Sequence, residues 1–147
     1  MGSQAETILA DAFPDDPLTS PGTTLGTVAY MSPEQARAEE IDNRSDLFSL
    51  GVMLYEMVTA SVPFRGNATA VVFDGILNKD PVRPSQLNPA VPPELERLIL
   101  RTLEKDRDLR YQTAADVRSD LKRVQKVTDS DRVVARKTAS EIGRAHV

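Results

Sequence analysis

The chain contains no cysteine and only one histidine, His146, among its 147 residues. The lack of cysteine excludes disulfides and thiolate metal sites, and one histidine cannot build a histidine metal cluster or a histidine-based catalytic triad. We therefore expect no metal site in this chain. A chain without cysteine also fits a cytoplasmic protein.

Long apolar runs and blocks of one charge sign are absent as well. The longest helical apolar stretch, residues 47–57, contains Ser49 and Glu56 and is shorter than the ~18 to 20 residues that a membrane span needs. No basic region followed by an apolar one marks a secretory signal at the N-terminus. Because the net charge is −4 and the two signs are interleaved, we expect a cytoplasmic chain with no nucleic-acid partner and no membrane segment.

What remains is the composition of one globular domain, with 40% hydrophobic and 27% charged residues. Residues 1–25 carry three prolines and four acidic residues without apolar periodicity, which predicts a flexible, exposed loop. Residues 26–126 show helical patterns, and residues 127–147 are expected to form a frayed tail or linker. The last seven residues resemble the translation of a widely used sequencing adaptor, so this end is a possible artefact.

Helix signals follow one another through the middle of the chain. Ser32-Pro33-Glu34-Gln35 has the form of a capping box and predicts a short helix. Apolar residues cover every face of the segment 45–59, which predicts a central helix that is buried all round. Asn67 is expected to cap the next helix.

The C-terminal half predicts two further helices. A proline-rich segment, 81–93, is expected to form a rigid loop and leads into an amphipathic helix over 94–105 that Pro93 starts. Thr113-x-x-Asp116 opens another helix, with apolar residues such as Val117 on one face. Because no convincing strand pattern occurs, the predicted fold class is mainly α.

Four motifs occur in a fixed order: G-T-x-x-Y-M-S-P-E from Gly26, D-x-F-S-x-G-V-x-L-Y-E-M from Asp46, P-F at Pro63 and K-D-x-x-x-R-Y from Lys105. Together they resemble the eukaryotic-like serine/threonine protein kinases of bacteria, over roughly residues 19–126. The resemblance implies the helical large lobe of a kinase from the activation segment onward, with residues 1–25 as the activation-loop remnant. No H-R-D-x-x-x-x-N, D-F-G or V-A-I-K occurs, so the β-rich ATP-binding lobe and the catalytic loop are lacking.

The resemblance assigns substrate positioning to Gly26, Thr27 and Tyr30. In the family the hydroxyl at the position of Thr27 can donate to a catalytic aspartate and help to place a substrate hydroxyl. The alternative is a turn residue with a solvated hydroxyl. Tyr30 is expected to pack under this loop.

Three further residues have implied structural roles. Glu34 and Arg110 match a buried ion pair of the family, in which the planar guanidinium takes both carboxylate oxygens. The alternative is two ordinary surface charges. Asp46 matches an aspartate that anchors the central helix to the catalytic-loop backbone, although a carboxylate at a helix N-terminus is also favoured by the helix dipole alone.

Other positions carry weaker implications. Possible phosphorylation sites are Thr19, Ser20, Thr23 and Thr24, because activation loops of the family are phosphorylated in this region. Met53 and Met57 match positions that support the apolar column beneath the adenine in the family; methionines at this spacing are more often plain core, and the two roles are compatible. Ala60 stands where glycine usually precedes the P-F turn, so backbone strain is expected there.

The implied parent is a serine/threonine kinase that uses ATP and magnesium to phosphorylate protein substrates. This chain itself holds no catalytic, cofactor-binding or metal-binding residue of that family, and we expect it to be inactive alone. Its expected partners are the missing N-terminal lobe and protein substrates or regulators. The resemblance is also compatible with a parent that has a membrane anchor beyond the C-terminus. Two alternatives are a standalone helical interaction module, using the helix after Asn67, and an unrelated all-helical domain.

Overall fold

A computed structural model of the chain describes residues 26–145, with side chains described as far as residue 143. The helices with defined ends in this range are α1 (Pro33–Ala36), α2 (Asn43–Thr59), α3 (Thr69–Asn78), α4 (Pro84–Leu87), α5 (Pro93–Thr102) and α6 (Ala114–Ala145). The described range contains no strand, which confirms the predicted mainly α fold. No helix within it combines the length and the apolar character that crossing a bilayer requires.

Helix α1 begins with the predicted capping box. The Ser32 hydroxyl accepts a hydrogen bond from the Gln35 backbone N–H at 3.2 Å, and the Gln35 side-chain oxygen accepts one from the Ser32 N–H at 2.9 Å. Pro33 occupies the first helical turn, where its missing N–H leaves no gap in the hydrogen bonding. Local sequence chemistry alone therefore fixes where this helix starts.

Helix α2 has one buried face and one exposed face, so the prediction of a helix buried all round is wrong. Ser45, Phe48 and Val52 recur at helical spacing on the buried face. On the other side the side chains of Met53 and Met57 are 52% and 77% exposed. Apolar periodicity shows that a face is suited to packing, but it cannot show whether another element is present to cover it.

The core is formed where α2 packs against α3, α5 and the P-F turn. The Phe48 and Phe64 rings stack with centroids 6.2 Å apart. The buried members of this cluster are Val28, Phe48, Val52, Tyr55, Phe64, Val72, Ile76, Ile99 and Leu103. A second cluster, consisting of Leu47, Leu98, Tyr111 and Val117, fixes the first turns of α6 to α2 and α5.

Several helix boundaries differ from the sequence expectation. Helix α3 starts at Thr69 after Ala68, and no side chain caps it, so the expected cap at Asn67 is wrong. The proline-rich segment contains the short helix α4, since Pro84 is tolerated in a first helical turn. Helix α5 starts at Pro93 as predicted but ends at Thr102, short of the predicted residue 105.

Helix α6 starts as predicted but extends much further than expected. The Thr113 hydroxyl accepts a hydrogen bond from the Asp116 N–H at 3.1 Å. The helix then continues to Ala145, so the predicted fraying after Lys126 is wrong, because this segment has no proline to break the helix. Its apolar side chains there are exposed, and a role as tail or linker stays a prediction.

The C-terminal end of α2 has the strained conformation that the sequence suggested. Ala60 lies in the left-handed region, with φ 60° and ψ 23°. A residue with a Cβ is disfavoured there by about 1 kcal/mol relative to glycine. The turn is nevertheless closed by hydrogen bonds from the Ala60 N–H to the Glu56 carbonyl at 2.8 Å and from the Ser61 N–H to the Thr59 hydroxyl at 3.2 Å.

The contact between α2 and α5 generates a first prediction. Gly51 is buried against α5, and a Cβ at this position would overlap the hydroxyl of Thr102 and lie 2.7 Å from its Cβ. Gly51→Ala should therefore lower the free energy of unfolding by about 1 to 3 kcal/mol, although alanine is the better helix former. Chemical denaturation measures the change.

Gly143→Ala is the matched control, because Gly143 lies in exposed α6 and a Cβ there meets nothing within 4 Å. This substitution should leave stability unchanged or raise it slightly. Equal effects of the two substitutions would contradict the close approach of α2 and α5 at Gly51.

Candidate functional site

Glu34 and Arg110 form a buried, two-pronged ion pair. The Arg110 Nη2 lies 2.7 Å from Glu34 Oε1 and its Nη1 lies 3.1 Å from Oε2. The two side chains are 0% and 3% exposed, and the residues are 76 positions apart in the sequence. The structure therefore brings the two together in the interior rather than leaving them in solvent.

The other polar atoms of this pair also have partners. Arg110 Nη1 donates to the Arg44 carbonyl at 2.7 Å and Nε donates to the Glu104 carbonyl at 2.9 Å. The Ser45 hydroxyl donates to Glu34 Oε2 at 2.6 Å. Within residues 26–143 no buried side-chain nitrogen or oxygen lacks a hydrogen-bond partner, which is the condition under which a desolvated ion pair is tolerated.

These contacts control the protonation of Glu34. Desolvation pushes its pKa upward, but the hydrogen bonds from Arg110 and Ser45, together with the positive charge of Arg110, outweigh it. The pKa of Glu34 is lowered from 4.5 to about 2 as a result. Glu34 is therefore a carboxylate at neutral pH, held as a structural anion rather than as a proton donor.

Tyr30 joins the segment that precedes α1 to the exposed side of α2. Its hydroxyl donates to Glu56 Oε2 at 2.5 Å, and its carbonyl accepts a hydrogen bond from the Ser49 hydroxyl at 2.8 Å. The hydrogen bond to the Glu56 carboxylate raises the pKa of Tyr30, so the phenol keeps its proton. Its ring packs against the core cluster.

Gly26 and Thr27 lie at the surface end of the same segment. Both residues are exposed, whereas Val28 and Ala29, which follow them, are buried. The Thr27 carbonyl accepts a hydrogen bond from the Tyr30 N–H at 3.2 Å and so forms a tight turn. The segment 26–30 thus exposes Gly26 and Thr27 on a backbone that its buried residues and Tyr30 hold in place.

Asp46 lies in the first turn of α2 and is exposed. No hydrogen bond or ion pair links its side chain to another residue in the described part of the chain. Its position suits the helix dipole, and its role as an anchor for a catalytic loop stays a prediction. The four predicted phosphorylation sites, Thr19, Ser20, Thr23 and Thr24, lie outside the described residues.

Sequence reasoning missed Ser45, Arg44 and Glu56. Ser45 is a polar residue on the buried face of an apolar helix, which is a signal that it has an internal partner. Arg44 forms ion pairs with Asp42 at 2.8 Å and with Asp108 at 2.9 Å, next to its carbonyl, which accepts a hydrogen bond from Arg110. The partnership of Glu56 with Tyr30 had no sequence signal, because it depends on how α2 faces a distant loop.

The described residues do not fit a metal centre. Within the described part of the chain no group of three or more His, Cys, Asp or Glu is placed to hold a metal ion. Glu34 and Asp42 are instead paired with arginines, and Glu56 accepts a hydrogen bond from the Tyr30 hydroxyl. No step of a reaction is therefore assigned to a metal held by these residues.

The helical arrangement has a counterpart among solved structures. The twitchin kinase region from C. elegans aligns with a TM-score of 0.58 at 20% sequence identity, over 66% of this chain and 16% of that one. At this identity the likeness shows the fold alone. It places the helices in the kinase class of folds, in agreement with the predicted helical lobe.

Sequence comparison gives the family. The model of the protein kinase domain matches residues 11–121, and the chain belongs to that family. It is 47% identical over 107 residues to serine/threonine-protein kinase PknB of Mycolicibacterium smegmatis, over 73% of this chain and 17% of the relative. It is 35% identical over 133 residues to probable serine/threonine-protein kinase CPE1738 of Clostridium perfringens, over 90% of this chain and 19% of the relative.

The ion pair generates a second prediction. Arg110→Ala leaves the Glu34 carboxylate buried without its cation, so the free energy of unfolding should fall by about 3 to 5 kcal/mol. Lys79→Ala removes one partner of an exposed pair with Asp74 at 3.6 Å and should change stability by no more than about 0.5 kcal/mol. Urea denaturation of both variants provides the comparison.

A double-mutant cycle tests whether Arg110 acts through Glu34. The effects of Glu34→Gln and Arg110→Ala should be clearly less than additive, because either change alone removes the same contact. Additive effects, or an Arg110→Ala variant as stable as Lys79→Ala, would contradict the pairing.

The lowered pKa of Glu34 generates a third prediction, on acid stability. A carboxyl group whose pKa is lower in the folded state stabilises the fold above its ordinary pKa, and this contribution is lost as the pH falls toward the folded pKa. The window therefore runs from about pH 4.5 down to about 2, and the contribution that disappears is about 3 kcal/mol.

Glu34→Gln isolates this contribution from that of other carboxyl groups. The hydrogen bonds from Arg44 likewise lower the pKa of Asp42 to about 2. The acid stability of the unmodified chain alone therefore cannot separate the contribution of Glu34 from that of Asp42. The difference in unfolding free energy between the native chain and Glu34→Gln should shrink as the pH falls through this window. A difference that stays constant from pH 5 to about pH 2 would contradict the assignment.

Proposed function

We propose that this chain supplies the substrate-positioning segment and the helical base of a serine/threonine protein kinase. The complete enzyme would transfer the γ-phosphate of ATP to serine or threonine hydroxyls of protein substrates. The observation that carries the proposal is the exposed turn at Gly26 and Thr27, which Tyr30 and the Glu34–Arg110 pair fix to the helices. The two relatives described above are serine/threonine-protein kinases, which supports the reaction class.

The proposed contribution of this segment is geometric. Phosphoryl transfer depends mainly on placing the acceptor hydroxyl in line with the phosphate and on electrostatic stabilisation. The Thr27 hydroxyl would orient the acceptor by donating to the catalytic aspartate of the complete enzyme. Tyr30 would hold the turn in a fixed position relative to α2 through its hydrogen bonds with Glu56 and Ser49. Glu34 and Arg110 would act as positioning residues, since their contacts hold α1, which follows this segment, to the start of α2.

ATP and magnesium would be held outside this chain. The lysine, aspartate and asparagine motifs that bind them do not occur in the 147 residues, and the described side chains do not fit a metal centre. The chain spans 17% and 19% of the two relatives described above. We therefore propose that it is inactive by itself and that its partners are protein substrates or regulators and the ATP-binding lobe.

A standalone interaction module is the second candidate. The side chains of Val71 in α3, Val82 and Leu87 are 45%, 50% and 46% exposed, so α3 and the segment after it have apolar side chains that a protein partner could cover. This candidate predicts binding of a partner with no need for an upstream kinase segment.

A phosphotransfer assay tests the proposal. Two proteins are compared, the 147-residue chain and the same chain extended by its upstream genomic reading frame, with radiolabelled ATP, magnesium and a generic protein substrate. The extended protein should phosphorylate the substrate, and the shorter chain should give no signal above a blank. An upstream frame without H-R-D and D-F-G motifs, or an inactive extended protein, would overturn the proposal and favour the interaction module.

Variants of the extended protein test the role of Thr27. Thr27→Ala should lower kcat by about tenfold or more, because the acceptor loses one positioning hydrogen bond, and Thr27→Ser should restore most of the rate. Thr138→Ala, which alters an exposed threonine of α6, serves as the control. Equal activity of the Thr27→Ala and Thr138→Ala proteins would remove the positioning role.

A further inference from the structure

A cavity of about 370 Å³ lies between α5 and α6. It shares no lining residue with the apolar recess beside Gly26 and Tyr30. Its volume falls in the range of about 300 to 1,000 Å³ that is usual for small-molecule sites. The cavity is thus separate from the surface that we assign to substrate positioning.

The floor of the cavity is apolar. Leu98 and the Tyr111 ring are buried beneath it, and Val124 and Val127 line it from α6. The Val127 side chain remains 40% exposed, so part of this apolar floor is in contact with water. An alkyl or aryl group that covered it would gain free energy in proportion to the apolar area removed from water.

The rim of the cavity is cationic. Three arginines, Arg97, Arg101 and Arg123, line it together with two carboxylates, Glu94 and Asp120. One positive charge is therefore left uncompensated, which is complementary to a ligand with a single negative charge.

The arginines of the rim differ in how far they are already engaged. Asp120 accepts hydrogen bonds from the Tyr111 hydroxyl at 2.6 Å and from Arg123 at 3.2 Å, and it lies 4.0 Å from Arg101. The Arg101 guanidinium also stacks 4.2 Å above the Tyr111 ring. Arg97 forms no hydrogen bond or ion pair with any residue of the described range, so its guanidinium is available to a ligand.

We propose that this cavity binds a small amphipathic carboxylate. The apolar group of the ligand covers Leu98 and Val127, and its carboxylate pairs with Arg97. A guanidinium suits this task because its planar fork can donate to both carboxylate oxygens at once. The proposal does not depend on the kinase function, since none of these residues belongs to the site described above.

Ligand binding to the 147-residue chain tests the proposal, with octanoate as the probe. Octan-1-ol has the same chain length without the charge, and acetate has the charge without the apolar group. Titration followed by NMR chemical shifts should show saturable binding of octanoate, binding of octan-1-ol weaker by about tenfold or more, and no detectable binding of acetate. Non-saturable shifts with octanoate, or equal affinity for octan-1-ol, would overturn the proposal.

Two matched pairs of variants locate the site. Arg97→Gln should weaken octanoate binding by about tenfold, whereas Arg118→Gln, at an exposed α6 position outside the cavity, should not. Val127→Asp places a negative charge on the floor and should abolish binding, whereas Val133→Asp should not. All four positions are exposed, so the fold is retained, and equal affinities within either pair would overturn the assignment.

Discussion

The buried guanidinium of Arg110 determines where separate parts of the chain lie. Its nitrogens donate to Glu34, to the Arg44 carbonyl in α2 and to the Glu104 carbonyl after α5. A desolvated charge is tolerated only when its hydrogen bonds are made, and the penalty otherwise reaches several kcal/mol. Helix α1, the start of α2 and the segment after α5 are therefore held in one arrangement, and the exposed turn at residues 26–27 leads into this arrangement.

Helix α2 connects this buried pair with the surface segment. Its first turn supplies Ser45 to Glu34, its middle supplies Ser49 to the Tyr30 carbonyl, and Glu56 in its last turns accepts from the Tyr30 hydroxyl. Because these residues are on one rigid helix, a displacement of α2 would move the ion pair and Tyr30 together. This coupling explains how a buried pair can support a surface that it does not touch.

The sequence predicted best those features that depend on neighbouring residues. The capping box at Ser32 and the cap at Thr113 were confirmed, because each uses side chains within three positions of the backbone groups that they satisfy. Local pattern could not join Glu34 to Arg110, and only the family resemblance suggested that pair. The prediction that α2 is buried all round was wrong because apolar periodicity does not reveal whether a neighbouring element is present. The prediction of fraying after Lys126 was wrong because a polar segment without proline can continue a helix with no packing partner.

The exposed side of α2 also has a chemical consequence. Methionine thioethers in contact with water are readily oxidised to sulfoxides, which are polar and chiral. Met57, 77% exposed, and Met53, 52% exposed, can take up this oxygen without disturbing the core formed by the opposite face. In any assembly that covers this face, the sulfoxide oxygen would have to be buried, and this costs free energy unless it accepts a hydrogen bond, so oxidation of these two side chains would weaken the attachment of a covering element.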